Sequence, residues 1–209
     1  MGISERRERE KEEMKDLILQ AALKLFLENG YEKTSIRAIA DLIEYSPATI
    51  YLYYKDKNEL FLEIQMLAFE SMNEAFEGIL VIQDPLARLI KIGELYIQFA
   101  LDHPELYDLM FIMEAPMESL DCQDKKWQDG QASFESLKMI IRDCQDANYF
   151  KKEYDVETLS LTIWSYIHGL VSLYLKKRLG IFDDNRELER IQESNAMFSQ
   201  FLKIISEQK

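Results

Sequence analysis

The residues with the most recognisable chemistry lie between Thr34 and Leu60, in the segment TSIRAIADLIEYSPATIYLYYKDKNEL. Ser46 can accept hydrogen bonds from the free N–H groups of a first helical turn, and Pro47 loses no hydrogen bond at the first helical position. The helix that this pair opens has small and aromatic side chains on its outward face, namely Pro47, Ala48, Thr49, Tyr51 and Tyr53. Side chains of these types suit insertion into a groove.

Apolar residues on both sides of a tight turn indicate how this helix is held in place. They recur at helical spacing, so that one face of each of two short helices can pack inward. These residues are Ile36, Ile39, Ala40 and Ile43 before the turn, and Ile50 and Tyr54 after it. The pattern predicts a helix-turn-helix.

This segment resembles the DNA-binding domain of the TetR family of bacterial one-component regulators. The matching positions occur in the family's order over about the first quarter of the chain: Gly30, Tyr31, Thr34, Ser35, Ile39, Ala40, Ser46, Thr49, Ile50, Tyr51, Tyr53, Tyr54, Lys55, Lys57 and Leu60. One departure is the turn, where Glu44 and Tyr45 replace the usual glycine and small apolar residue. If Glu44 takes a positive φ, it carries a strain of roughly 1 kcal/mol.

The resemblance implies a homodimer that inserts two copies of the Ser46–Tyr54 helix into successive major grooves of a near-palindromic operator. An unknown small-molecule effector in the second domain would release the DNA, with repression as the default outcome. The implied phosphate contacts are Thr34, Ser35, Tyr53 and Lys57. The implied base-edge contacts are Arg37, Ala48, Thr49 and Tyr51, with Ser46 and Pro47 at the start of the reading helix.

Beyond Leu60 the sequence is helical throughout, and the expected fold class is all-α. We predict a DNA-binding domain at residues 1–55 and a larger ligand-binding and dimerisation domain at residues 56–209. Helices are expected at about 56–78, 84–101, 104–115, 132–147, 155–179 and 185–206, with a polar loop at 118–130. The breakers are few, with seven Gly and four Pro in the whole chain.

The last two predicted helices carry more apolar surface than one packing partner needs. In the last helix, apolar residues recur at alternating steps of three and four positions, with one polar residue, Asn195, among them. This spacing is typical of a face that packs against another helix. TetR-like proteins commonly dimerise through their last two helices, and packing inside one protomer is the alternative. The predicted dimer residues are Ile167, Leu170, Tyr174, Leu188, Ile191, Asn195, Phe198 and Leu202.

Two further pieces resemble the C-terminal domain of a branch of the family named for its Trp, His and Gly. They are the run from His103 to Tyr107, and Trp164 with His168 and Gly169. If the match holds, it implies a ligand-binding core, although each residue singly is more often plain core than ligand contact. The predicted lining is Tyr96, Phe99, His103, Tyr107, Met110, Phe111, Trp164 and His168.

The composition and the absence of catalytic motifs restrict the classes of function that we expect. The net charge of −13 divides into −2 for residues 1–60 and −11 for residues 61–209, so any basic face is local. No phosphate-binding glycine loop, metal-ligand spacing or nucleophile motif is present, so we expect no enzyme, no cofactor and no metal. Without a membrane span or a signal segment, we expect a cytoplasmic protein with Cys122 and Cys144 reduced.

Two features of the sequence each allow two interpretations. The charged run from Glu5 to Glu13 is either a solvated helix start or an arm that touches DNA through Arg6, Arg7 and Arg9. The chain as a whole is either a DNA-binding regulator or an interaction module of the same fold that has lost specific DNA binding.

Overall fold

The computed structural model describes residues 3–113, 128–182 and 185–207, and every regular element in these ranges is helical. The all-α fold class is therefore confirmed. The helices are α1 (Ile3–Asn29), α2 (Ile36–Leu42), α3 (Pro47–Ile50), α4 (Lys57–Ala75), α5 (Pro85–Asp102), α6 (Pro104–Tyr107), α7 (Gln128–Asp146), α8 (Val156–Leu175) and α9 (Glu187–Glu207). Short 3-10 turns lie at Ile79–Val81 and Arg178–Ile181. None of the helices in the described ranges combines the length and apolarity needed to cross a membrane.

Contacts group the described chain into two compact units, which differ in extent from the predicted domains at 1–55 and 56–209. The first unit contains the residues up to Ala68 and the segment that begins at Glu105. The second contains Phe69–Pro104 and the residues from Gln128 onward. Because Leu60, Phe61 and Ile64 pack into the core of the first unit, the first half of α4 belongs to that unit.

The core of the first unit is built from aromatic and branched side chains on α1 to α4. Phe26, Tyr31 and Phe61 form a three-ring cluster with centroids 5.2–5.6 Å apart. Ile39 and Ile50 are fully buried against it, as the helical spacing predicts. Gly30 ends α1 with a φ of 79°, a conformation that glycine adopts without steric cost.

The second unit is held by α5, α7, α8 and α9. Asp84 caps α5 by accepting from the backbone N–H groups of Leu86 and Ala87, and Pro85 occupies the first helical position. Helices α5 and α8 approach closely at Gly93, where an added Cβ would lie 2.9 Å from Ile167 Cδ1. Between α7 and α8, the buried Lys138 ammonium donates to Glu135 at 2.6 Å and to Glu157 at 2.9 Å.

Several predicted boundaries are wrong. The helix expected at 56–78 ends at Ala75, and the one expected at 155–179 ends at Leu175, shortly before Lys177 with a φ of 54°. The loop expected at 118–130 contains the start of α7 at Gln128, while the remainder lies outside the described residues.

The helix expected at 104–115 is also interrupted. It is regular only to Tyr107 and then widens into a π-helical turn, Asp108–Ile112. There the N–H of Met113 donates to Asp108 O, and the Leu109 carbonyl accepts from Gln65 Nε2 instead of from an α-helical N–H. The side-chain amide of Gln65 thus links α4 to a backbone carbonyl of the wider turn.

Candidate functional site

Helices α2 and α3 each begin at a serine cap, of which the cap at Ser46 is predicted from the sequence. Ser35 Oγ accepts from the N–H of Ala38 at 3.1 Å, and Ser46 Oγ accepts from the N–H of Thr49 at 3.2 Å. The Ser46 hydroxyl also lies 3.1 Å from Thr49 Oγ1. Each cap satisfies a donor of a first turn that has no intrahelical partner, so both helices begin at defined residues.

The turn contains the strained residue that the sequence suggested. Glu44 has a φ of 60°, which confirms that the position needs the left-handed conformation. The N–H of Tyr45 donates to Ala40 O at 3.0 Å, and the N–H of Glu44 donates to Asp41 O at 3.3 Å. This pair of bonds is the Schellman ending of α2, in which glycine usually takes the left-handed place. The turn therefore keeps the usual geometry with an acidic side chain.

The outward face of α3 and the residues after it is small, aromatic and aliphatic. Ala48 is exposed, Thr49 is half-buried, and Tyr51 is 56% exposed. The sequence analysis did not single out Leu52, which is 82% exposed. Its outward position could have been found from the helical phase, because it lies opposite the buried residues Ile50 and Tyr54.

Thr34, to which the resemblance assigns a phosphate contact, lies inside the first unit. Its side chain is buried, and Oγ1 donates within the first unit, 3.0 Å from Leu25 O and 2.9 Å from Gly30 O. A hydroxyl buried against the two carbonyl oxygens that end α1 holds the entry to α2 in place. By contrast, Ser35 and Arg37 are exposed and Tyr53 is half-buried.

Lys57 is anchored inside the first unit. Its Nζ donates to Tyr31 O at 2.8 Å and lies 4.0 Å from the centroid of the Tyr31 ring. Tyr31 in turn donates to Asn58 Oδ1, and burial, followed by the charges of Glu32 and Asp56, raises the pKa of Tyr31 to about 12. Lys57 thus connects the end of α1 to the start of α4, a structural role that the sequence analysis missed.

Acidic side chains bond to backbone N–H groups at the start of α4. Glu59 Oε2 accepts from the N–H of Lys55 at 2.5 Å, and Asp56 Oδ1 accepts from the N–H of Glu59 at 2.9 Å. These bonds close the start of α4 in the manner of a capping box.

At the start of α1, the charged run from Glu5 to Glu13 is helical and contains exposed ion pairs between Arg6 and Glu10 and between Arg9 and Glu13.

In the second unit, three of the predicted effector residues form one polar cluster. Tyr96 Oη lies 3.1 Å from His168 Nδ1, and Trp164 Nε1 donates to Tyr96 Oη at 3.4 Å. The ring of Phe134 lies 6.0 Å from that of Trp164. Burial lowers the pKa of His168, which favours its neutral form. We call Tyr96, Trp164 and His168 the polar triad.

The other predicted lining residues do not join the polar triad as one set. Phe99 is buried and its ring lies 5.2 Å from the exposed His103 in the second unit. Tyr107, Met110 and Phe111 belong to the first unit instead. Among the described residues, no three His, Cys, Asp or Glu side chains are grouped as a metal ion would require.

The predicted dimer seam lies partly inside the protomer. Ile191, Leu202 and Ile167 are buried within the protomer, as expected for the alternative in which this face packs inside one protomer. Phe198 stacks on Tyr166 at a centroid distance of 4.0 Å. The three- and four-residue steps therefore mark the inward face of α9, since packing against the protomer's own helices needs the same spacing as packing against a partner. Leu188 is exposed, whereas Leu170, Tyr174 and Asn195 are half-buried.

A second apolar face of α9 remains uncovered within the protomer. Met197 is 71% exposed, Phe201 is 54% exposed, and Ile204 is exposed to a similar degree. Their spacing of four and three residues places them on one side of the helix. We call these three residues the outer stripe. On α8, Leu161 and Leu173 are also exposed.

The all-α fold and the capped segment of α2, turn and α3 define a helix-turn-helix regulatory protein. The family model described as "Bacterial regulatory proteins, tetR family" matches residues 18–64, and the model described as "Tetracyclin repressor-like, C-terminal domain" matches residues 89–192. The chain belongs to the TetR family of transcriptional regulators. Membership of the branch named for Trp, His and Gly stays a prediction.

Sequence identity to individual curated proteins is highest over short matches. The chain is 45% identical over 51 residues to the HTH-type transcriptional regulator QacR of Staphylococcus aureus, which is 24% of this chain and 27% of QacR. Matches with QacR and two other curated relatives span only 27–31% of the length of those proteins. A longer match, 25% identical over 177 residues, covers 79% of this chain and 80% of the HTH-type transcriptional regulator AcrR of Shigella flexneri.

Solved structures share the fold over most of the chain. The transcriptional regulator FadR of Bacillus subtilis, solved in complex with stearoyl-CoA, superposes with a TM-score of 0.70. The superposition covers 91% of this chain and 97% of FadR, at 18% identity. At this identity the likeness shows the fold alone.

Proposed function

We propose that this chain is a homodimeric transcription regulator that binds a near-palindromic DNA operator and is released by a small apolar or amphipathic effector. The observation that carries the proposal is the capped helix-turn-helix, whose outward face is free of charge at Ala48, Thr49 and Tyr51. Repression is the default outcome, because a bound dimer blocks polymerase.

Docking places α3 in the major groove, with the groups of the preceding turn beside the backbone. Ala48, Thr49 and Tyr51 approach base edges, and the exposed Arg37 on α2 contributes either a base or a phosphate contact. Ser35 and Tyr53 contact phosphates. Few cations lie near this surface, so the protein should neutralise few phosphates. Since each neutralised phosphate contributes about −0.9 to the slope of log affinity against log salt, the total slope should be small.

Dimerisation in this proposal uses the outer stripe of α9. A pairing of two copies along Met197, Phe201 and Ile204 would remove exposed apolar surface from water on both protomers. The inward face, with Ile191 and Leu202, is then occupied by the protomer's own core. One recognition helix buries too little surface to select a site in a genome, so DNA selection depends on this contact.

Effector binding in this proposal centres on the polar triad in the second unit. Tyr96 and Trp164 supply aromatic surface, and His168 supplies a neutral hydrogen-bonding ring. This combination suits a ligand with an apolar body and a polar group. The ligand releases DNA only through its difference in affinity for the DNA-bound and DNA-free conformations.

The proposed function is tested by selection of bound duplexes from a random DNA pool, followed by gel-shift titration with the enriched sequence. We expect an inverted repeat, bound by the wild-type protein and much more weakly by Tyr51→Ala. Met139→Ala, a substitution at an exposed residue of α7, is the control and should bind as the wild type does. A folded protein that enriches no sequence would instead support an interaction module of the same fold.

A further inference from the structure

Leu52 is the most exposed of the large apolar side chains that the structure describes, at 82%. Helical hydrogen bonding continues past the end of α3, since the N–H of Leu52 donates to Thr49 O at 3.2 Å and that of Tyr53 to Ile50 O at 2.9 Å. At about 100–120° per residue, Leu52 lies about 120–160° around the helix axis from both Ile50 and Tyr54, whose side chains are buried. The fold holds this leucine outward.

Two of the exposed residues near Leu52 have an apolar or an aromatic side chain. Ala48 lies one turn earlier on the same side of the helix, and Tyr51 is the adjacent exposed residue. Neither leucine nor alanine can donate or accept a hydrogen bond. In the major groove, the apolar feature that a base edge presents is the C5-methyl group of thymine.

We propose that Leu52 is a specificity-determining residue that contacts a thymine methyl group in each half-site of the operator. The inference rests on the proposed function and adds a readout that requires no hydrogen bond. It follows that the recognised feature is the methyl group rather than the base pair. A 5-methylcytosine at the same position would present an equivalent group to Leu52.

The test uses the full-length protein and the duplex enriched by the wild type. Each thymine is replaced in turn by deoxyuridine, which keeps the pairing and hydrogen-bonding edges and removes only the methyl group. We expect one thymine per half-site whose replacement weakens wild-type binding about fourfold, the effect of losing one buried carbon. For Leu52→Ala the same replacement should have no effect.

Two further arms sharpen this experiment. Leu80→Ala removes a leucine that is 74% exposed in the second unit, and it should retain the full dependence on the thymine methyl. In a second pair of duplexes, the sensitive T·A pair is replaced by C·G, with or without a methyl group at C5 of the cytosine. The wild type should bind the methylated duplex more tightly than the unmethylated one. Far-ultraviolet circular dichroism verifies that each variant is helical.

The outcomes separate this inference from the proposed function. Equal losses on deoxyuridine for the wild type and Leu52→Ala would show that another residue reads the methyl group. An enriched site in which no thymine is methyl-sensitive would also overturn the inference, and both results would leave DNA binding intact. Failure to enrich any sequence would overturn the proposed function and this inference together.

Discussion

Charged residues in the outer stripe of α9 should separate the proposed dimer without unfolding the protomer. The variant Met197→Glu with Phe201→Glu changes two side chains that are 71% and 54% exposed. Since neither contributes much to the protomer's core, the mean residue ellipticity of the variant should match that of the wild type. A dimer built on this stripe would bring four carboxylates into an apolar contact.

The expected magnitude follows from the exposed fractions. Full burial of a Met or Phe side chain contributes about 1.5–3 kcal/mol, so covering the exposed parts of both residues on both protomers contributes about 4–7 kcal/mol. Loss of that contribution should weaken dimerisation by roughly 10³-fold or more. Desolvation of the introduced carboxylates adds to the loss.

The assay is sedimentation equilibrium over a range of protein concentrations, with gel shift on the enriched duplex. Met139→Glu places the same charge at another exposed methionine and should remain dimeric. Leu202→Ala is the inward control, because that side chain is buried and its truncation should lower the free energy of unfolding by about 2–5 kcal/mol. A double variant that keeps wild-type dimer affinity would refute the assignment of the outer stripe.

Three further predictions concern single residues. Glu44→Gly removes the left-handed strain and should raise the free energy of unfolding by about 0.5–1 kcal/mol in urea titration. Glu44→Ala should bring no such gain, and equal effects of the two variants would contradict strain at this position. Lys57→Ala should lower the free energy of unfolding by about 1–2 kcal/mol through loss of the contacts with Tyr31, whereas Lys55→Ala should not, and equal losses would contradict the structural role. Because the pKa of His168 is lowered in the fold, the unfolded state binds its proton first as pH falls below about 6.5. Stability should therefore decrease there, more steeply than in His168→Gln, and parallel pH profiles would contradict this.

The helix-turn-helix could be predicted from local signals in the sequence. The caps at Ser35 and Ser46, the apolar spacing and the strain at Glu44 each depend on a few neighbouring residues, and all are present in the structure. The roles of Thr34 and Lys57 could not be predicted in this way. Both side chains bond to backbone carbonyl oxygens, one of them 26 residues away in sequence, and only the folded chain brings these groups together.

The two apolar faces of α9 could not be told apart from the sequence. A spacing of three and four residues reports that a face is apolar and does not report what covers it. Ile191 and Leu202 have this spacing and are buried in the protomer, while Met197 and Phe201 have it and are exposed. In the same way, the predicted lining residues include the polar triad, which depends on contacts between α5 and α8.

In the proposed function, the dimeric protein selects an operator by reading its bases. The most direct measurement of this selection is the ratio of dissociation constants for the enriched duplex and for a shuffled duplex of the same composition, both at 150 mM salt. Specific regulators typically bind their sites at least 10³-fold more tightly than other DNA, and we predict a ratio of about that size or greater. Equal affinity for the two duplexes, from a folded and dimeric protein, would contradict the account.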